Sequence, residues 1–323
     1  MTEAASALPR DRAVSGAVFC SHEEAPPTTH DDSHLPAASA GSSHHARGVW
    51  LMLLSATCFT INVLLTRALG EMQTVSVWLI CTVRFVVGIG MVAVLYRREV
   101  RPSHLFLNRK LVERGLVGGL TVVGFYLTIL RLGAGRATFI NTTYVVFGGL
   151  LAMWILGERF RIAIAAGGGI ALAGLALLTG AFGADSQASL YDLVGIVTAL
   201  GSAWVVVTIR QLHATEHTAT IFAAQCVYGL LVCIVPAVIH WQALSAPAVG
   251  VLLLVSICVS VGQIAMTLSF RDLPVAEGSL LQMLVPVGIG LGGALLFNEH
   301  FTSAELAGAG LILAGTAITL LRR

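Results

Sequence analysis

The chain has 323 residues, 56% of them hydrophobic and 11% charged, with mean hydropathy +0.84 and a net charge of +2 at pH 7. Soluble domains carry about 25% charged residues, so this composition excludes an ordinary water-soluble fold and makes the lipid bilayer the expected partner, with no nucleic acid. The six cysteines (Cys20, Cys58, Cys81, Cys226, Cys233, Cys258) lack metal-ligand spacing, and five lie inside apolar runs, so no disulfide framework, metal site or cofactor is expected.

Residues 1–47 are rich in Ser, Ala, Pro and His and show no apolar period, which predicts a disordered tail. No apolar run follows a basic start, so no signal peptide is expected. The tail's histidines (His22, His30, His34, His44, His45) are a compositional feature and define no metal site.

Ten apolar runs follow, at about 49–69, 75–95, 114–131, 136–156, 162–182, 190–210, 218–239, 248–269, 276–296 and 302–321. Each is close to the ~20 residues that cross a hydrocarbon core. Without water to satisfy backbone groups, they must be helices.

The basic residues predict orientation. Thirteen of them, including Arg47, Arg97, Arg98, Arg109, Arg114, Arg210 and Arg271, fall on the side of the N-terminus, against Arg67, Arg131 and Arg136 on the other. Both termini are therefore expected in the cytoplasm.

The chain also repeats itself. A shift of 141 superposes Gly157–Leu178 on Asn298–Thr319 with ten identities in twenty-two positions, among them Glu158 on Glu299, Gly167 on Gly308 and Gly174 on Gly315. A fixed long period means a duplicated unit, here residues 48–184 and 185–323. Five spans repeated in tandem insert the second copy upside down, the inverted-repeat plan of secondary transporters.

Several marks resemble the EamA-type branch of the drug/metabolite transporter superfamily. They are Arg84-Phe85 in the second span, Leu156-Gly157-Glu158-Arg159 closing the fourth, Gly167 and Gly174 in the fifth, Pro286 in the ninth, and Glu299 with Ala314-Gly315 beyond it. The resemblance covers nearly the whole chain after the tail. It implies a multi-pass carrier of the bacterial inner membrane that moves small organic metabolites, often outward. Two departures stand out. Val145 replaces a proline usual in the fourth span, which predicts a straighter fourth helix than ninth, and the second copy reads Asn298-Glu299-His300 in place of Gly-Glu-Arg.

Arg84 is the sharpest candidate for substrate contact. A charge midway along an apolar helix costs at least ~2.5–3.5 kcal/mol and must face a cavity or a partner. Its repeat counterpart is Gln225, and the pair is expected across the pseudo-two-fold axis. Asn62, Asn141, Gln263 and Gln282 are the other strong polar groups within spans, either lining a cavity or bonding helix to helix. Phe59, Tyr126, Tyr144, Trp204 and Tyr228 are aromatic candidates for a mostly apolar pocket or for packing, and Trp50, Trp78 and Trp241 read as interfacial anchors. Glu158 and Glu299 each precede a helix whose N-terminal dipole they complement. The glycines behind them (Gly167, Gly174, Gly308, Gly315) allow close helix approach.

Arg136 and Glu277 occupy equivalent positions on opposite faces, so no direct bridge between them is expected. Glu277 is the carboxylate to consider for proton coupling.

No enzyme signature is present: no paired carboxylates, phosphate loop or nucleophile elbow. The sequence predicts an all-α membrane carrier of ten helices in two inverted repeats, with a small amphipathic solute such as an amino acid as substrate. The fifth and tenth helices belong at the periphery or at a homodimer contact. The alternatives are an uptake carrier, or a non-transporting scaffold or membrane enzyme.

Overall fold

The computed structural model describes residues 37–132, 134–159, 161–180, 189–297 and 302–321. Most of the polar tail, Phe160 and the Asn298–Phe301 segment that holds Glu299 lie outside the described residues. The described chain is helical throughout its elements: α1 (Ala37–Met72), α2 (Val77–Leu95), α3 (Pro102–Leu107), α4 (Arg109–Leu132), α5 (Ala134–Thr142), α6 (Tyr144–Leu156), α7 (Ile162–Thr179), α8 (Leu190–Leu212), α9 (Thr218–Ile239), α10 (Ala246–Asp272), α11 (Val275–Gln282), α12 (Leu284–Phe297) and α13 (Ser303–Leu321). Among the described residues, nine helical segments are long and apolar enough to cross a membrane, and Ser303–Thr319 is a shorter apolar helix. These are the ten expected spans, the fourth made of α5 and α6 and the ninth of α11 and α12.

Two features differ from the sequence reading. Helix α1 begins at Ala37, so residues 37–47 are helical rather than part of the tail. Extending an existing helix avoids the cost of a new nucleus, and this stretch is rich in alanine. A short helix, α3, also precedes the third span, which starts at Arg109 rather than near 114.

The fourth span is not straighter than the ninth. Both are interrupted by one residue near mid-span, at Thr143 and at Met283, each bonded three residues back, to Ile140 O at 3.2 Å and to Leu280 O at 3.0 Å. The ninth is interrupted because Pro286 is the third residue of α12 and has no N–H for the carbonyl of Gln282. The fourth reaches the same shape with threonines. Thr142 Oγ1 donates to Thr138 O at 2.7 Å and Thr143 Oγ1 to Ile140 O at 2.6 Å, a back-bonding pattern that bends helices.

Helices α7 and α13 pack against each other through the repeated glycines, crossed head to tail. A Cβ on Gly174 would come 2.6 Å from Gly308 O, and one on Gly308 would come 2.5 Å from Gly174 O. Gly167 and Gly315 face each other in the same way, with Gly315 O 2.5 Å from a Cβ on Gly167. The glycine of one repeat that starts the pattern thus meets the glycine that ends it in the other, as an inverted pair requires. Replacing Gly308 by leucine should separate the helices, cost at least ~1–3 kcal/mol, and lower the melting temperature in detergent. Gly310→Leu, where an added Cβ meets nothing within 4 Å, should leave it unchanged.

Candidate functional site

Burial is lopsided along the membrane normal. The C-terminal ends of α8 and α10 and the N-terminal ends of α9 and α11 lie on one face, together with the start of α1, whose Gly48 O accepts from Ser269 Oγ at 2.7 Å. Here residues 205–209, 218–226, 262–267 and 277–281 are buried in unbroken runs. Toward the other face, residues 121–126 of α4 and 284–290 of α12 include no fully buried position. Helices α8–α11 are sealed together at the N-terminal face, α4 and α12 are less buried toward the opposite one, and a cleft remains open beside the seal between α6, α7 and α11.

The seal is electrostatic. His45 Nε2 lies 2.6 Å from Glu277 Oε1, joining α1 to α11. Arg47 approaches Asp272 at 3.6 Å. Arg210 pairs with Glu158 at 3.0 Å and also donates to the carbonyls of Phe270 and Leu273, so one guanidinium ties α8, α10 and the α6–α7 connection together. Both Glu158 oxygens accept from Val275 N at 3.2 Å. Val275 is the first residue of α11, so Glu158 complements the N-terminus of a helix in the other repeat and not that of α7, which follows it in sequence. The sequence reading had the right kind of interaction on the wrong helix, because only folding brings α11 beside that loop.

A cleft of ≈ 710 Å³ opens between α6, α7 and α11 at this face, with apolar walls such as Leu150 and Leu172 and a rim that includes Arg159, Arg161, Arg210 and Glu277. Nothing in the sequence pattern indicated it, since its walls come from both repeats.

At the opposite face Arg136, at the start of the fourth span, pairs with Asp192 at 2.9 Å. Asp192 lies in the first turn of α8, where Ser189 and Asp192 form a capping box. The two latches are related by the repeat. One joins the fourth span of the first copy to the first span of the second, and the other (Glu277 to His45) joins the fourth span of the second copy to the first span of the first. Arg136 and Glu277 each have their own partner on their own face.

Three of the candidate residues, Asn141, Tyr144 and Gln282, lie beside the helix breaks. Arg84 is half-buried and its guanidinium lies at the Tyr126 hydroxyl. Tyr144, just past the break of the fourth span, faces fully buried Ser279 on α11. Asn141, two residues before that break, has a buried Oδ1 without a partner. Gln282, just before the other break, donates to Ser55 Oγ and Met52 Sδ, both at 2.9 Å. Asn62 Nδ2 donates to Val255 O at 3.1 Å, bonding α1 to α10.

The remaining candidates sit elsewhere. Gln263 is buried within α10. Tyr228 donates to Leu105 O at 3.0 Å and fixes α3 against α9. Trp204 is 37% exposed and continues the outer stripe of Leu193, Val197 and Leu200 on α8, away from the interior. Gln225 accepts from Arg114 Nη2 at 3.0 Å. Arg114, counted in the sequence among residues flanking a connection, is fully buried. The span begins five residues before it, and a side chain one turn inside a helix can be folded inward when the facing helix offers a partner.

A ten-helix bundle of two inverted repeats, with broken fourth and ninth helices and a polar centre, defines a membrane carrier. The sequence profile of the EamA-like transporter family matches residues 46–180 and 189–321, one copy on each repeat, and the chain belongs to that family. It is a multi-pass membrane transporter and not an enzyme. The pseudopaline exporter CntI of Pseudomonas aeruginosa, in strains UCBPP-PA14 and PAO1, is 25% identical over 287 residues, covering 85% of this chain and 96% of the exporter. A solved crystal structure at 20% identity, covering 87% of this chain and 97% of its own, superposes with TM-score 0.69 and supports the fold.

Removing the charge of Glu158 should loosen the seal. Glu158→Gln loses the ion pair with Arg210 and weakens the cap on α11, together roughly 1–2 kcal/mol. Faster hydrogen exchange at the start of α11, with the outer ends of α5 and α8 unchanged, would show it.

Proposed function

We propose that the protein exports a small amphipathic organic metabolite, such as an amino acid derivative, across the inner membrane by alternating access. The observation that carries this reading is the pair of repeat-related latches on opposite faces, combined with burial that is tight at one face and loose at the other. Such a bundle is two-faced by construction, and the ion pairs at the N-terminal face support reading α1, α8, α10 and α11 as latched together there. The excess of basic residues at that face supports placing it, and both termini, in the cytoplasm. The exporter among the relatives supports the outward direction. Arg84, Tyr126, Tyr144, Asn141 and Gln282 are the residues that would meet the solute.

The latch at the cytoplasmic face is also the site for proton control. Glu277 is 4% exposed and contacts His45, and Arg47, Asp272, Arg210 and Glu158 are the charged groups around it. A proton on Glu277 removes its negative charge and weakens the ion pair that ties the start of α11 to α1.

Purified protein in liposomes, loaded with a panel of amino acids and their derivatives, tests both statements. Wild type should show selective efflux that an imposed proton gradient accelerates. Glu277→Gln should keep efflux and lose the acceleration. Efflux of nothing from folded protein would count against the carrier assignment, and an unchanged gradient response in Glu277→Gln would remove that residue from coupling.

A further inference from the structure

Helices α2 and α4 both pack on α9, and each brings an arginine to the same region. Arg84 is half-buried on the looser side. Arg114 is fully buried, toward the sealed side. Arg114 makes one hydrogen bond, to Gln225, and its Nε and Nη1 are buried without a partner. The two helices meet α9 at adjacent residues: a Cβ on Gly88, one turn from Arg84, would come 2.6 Å from Cys226 Sγ, and Arg114 bonds the neighbouring Gln225. Among the described residues, neither arginine has a carboxylate partner.

Helix α4 makes room for this charge. A Cβ on Gly118 would come 2.5 Å from Arg114 Nη1, so only glycine leaves space for the guanidinium there. Buried N–H groups are nearly always paired, and an uncompensated buried cation costs several kcal/mol. A structural arginine would be expected to have its remaining donors satisfied by carbonyls, as Arg210 has. Two cations sharing one region, one with two idle donors, are arranged for a visiting anion.

We propose that Arg84 and Arg114 form a two-station site for a carboxylate, and that the transported metabolite is a carboxylic acid. Two adjacent N–H groups of a guanidinium match the two oxygens of a carboxylate. Arg114 meets the carboxylate when the N-terminal face opens, and Arg84 holds it when the opposite face opens, with the Tyr126 hydroxyl beside it. Gln225, the repeat counterpart of Arg84, keeps Arg114 in place when no anion is bound. The inference rests on the carrier reading above and adds the charge class of the solute.

The test uses the full-length protein in nanodiscs and liposomes, with N-acetyl amino acids and their primary amides as matched probes. Wild type should bind and move the acids about 10- to 100-fold better than the amides, the difference expected for charge-assisted hydrogen bonds. Arg84→Gln should reduce that preference to near unity, and Arg84→Lys should restore part of it. Arg114→Lys retains the buried charge if Arg114→Gln fails to fold, and its altered donor geometry should still lower the preference for acids. If acids and amides are handled equally by wild type, the anion site is wrong and the carrier stands. The site also fails if folded Arg84→Gln and Arg114→Lys both keep the full preference. If neither class is bound or moved, the carrier reading fails and the site with it.

Discussion

A bilayer offers the backbone and the polar side chains no partner of its own. Every other feature of this protein follows from that constraint. The chain is helical because helices satisfy their own amides. The helices approach through glycines because lipid gives no hydrophobic reward for association, and close backbone contact must supply the attraction instead. The charges that remain inside are paired, capped or held for a visitor, since each would otherwise be a large penalty.

Duplication turns this constraint into a machine. Each repeat supplies a broken fourth span and a glycine-rich fifth span, and inversion places the same device on both faces. The glycine faces of α7 and α13 meet each other, which joins the two repeats along a fixed seam. The fourth span of each copy meets the first span of the other, so each latch is made between repeats. In the proposed cycle, opening one face would separate the repeats at one end while the seam holds. The chemistry of the latches differs although their positions correspond. One pairs a guanidinium with an aspartate, and the other pairs an imidazole with a glutamate.

The polar groups divide by what they touch. Asn62, Tyr228 and Glu158 have their bonds made within the protein, and they hold helices in register. Asn141 and Arg114 have buried acceptors or donors without a partner, and with Arg84 they are the groups proposed to meet the solute. This division separates glue from site better than residue type does, because the same amide or guanidinium serves either purpose.

The sequence by itself determined the membrane class, the ten spans, and the duplication and its inversion, because each is written in local hydropathy or in a fixed period along the chain; it marked the repeated glycines as points of close approach but put their helices at the periphery or a homodimer contact, where the structure packs α7 on α13. It pointed to Arg84, because a charge in an apolar run is conspicuous. It also predicted a fourth helix straighter than the ninth from a missing proline, where threonine back-bonding accompanies the same break. Only the tertiary structure decided which helix Glu158 caps, that Arg114 is folded inward, that Trp204 faces outward, and that His45 closes on Glu277. Those are contacts between residues far apart in the chain, and their partners are fixed by how two inverted copies pack, which no local pattern of hydropathy or spacing encodes.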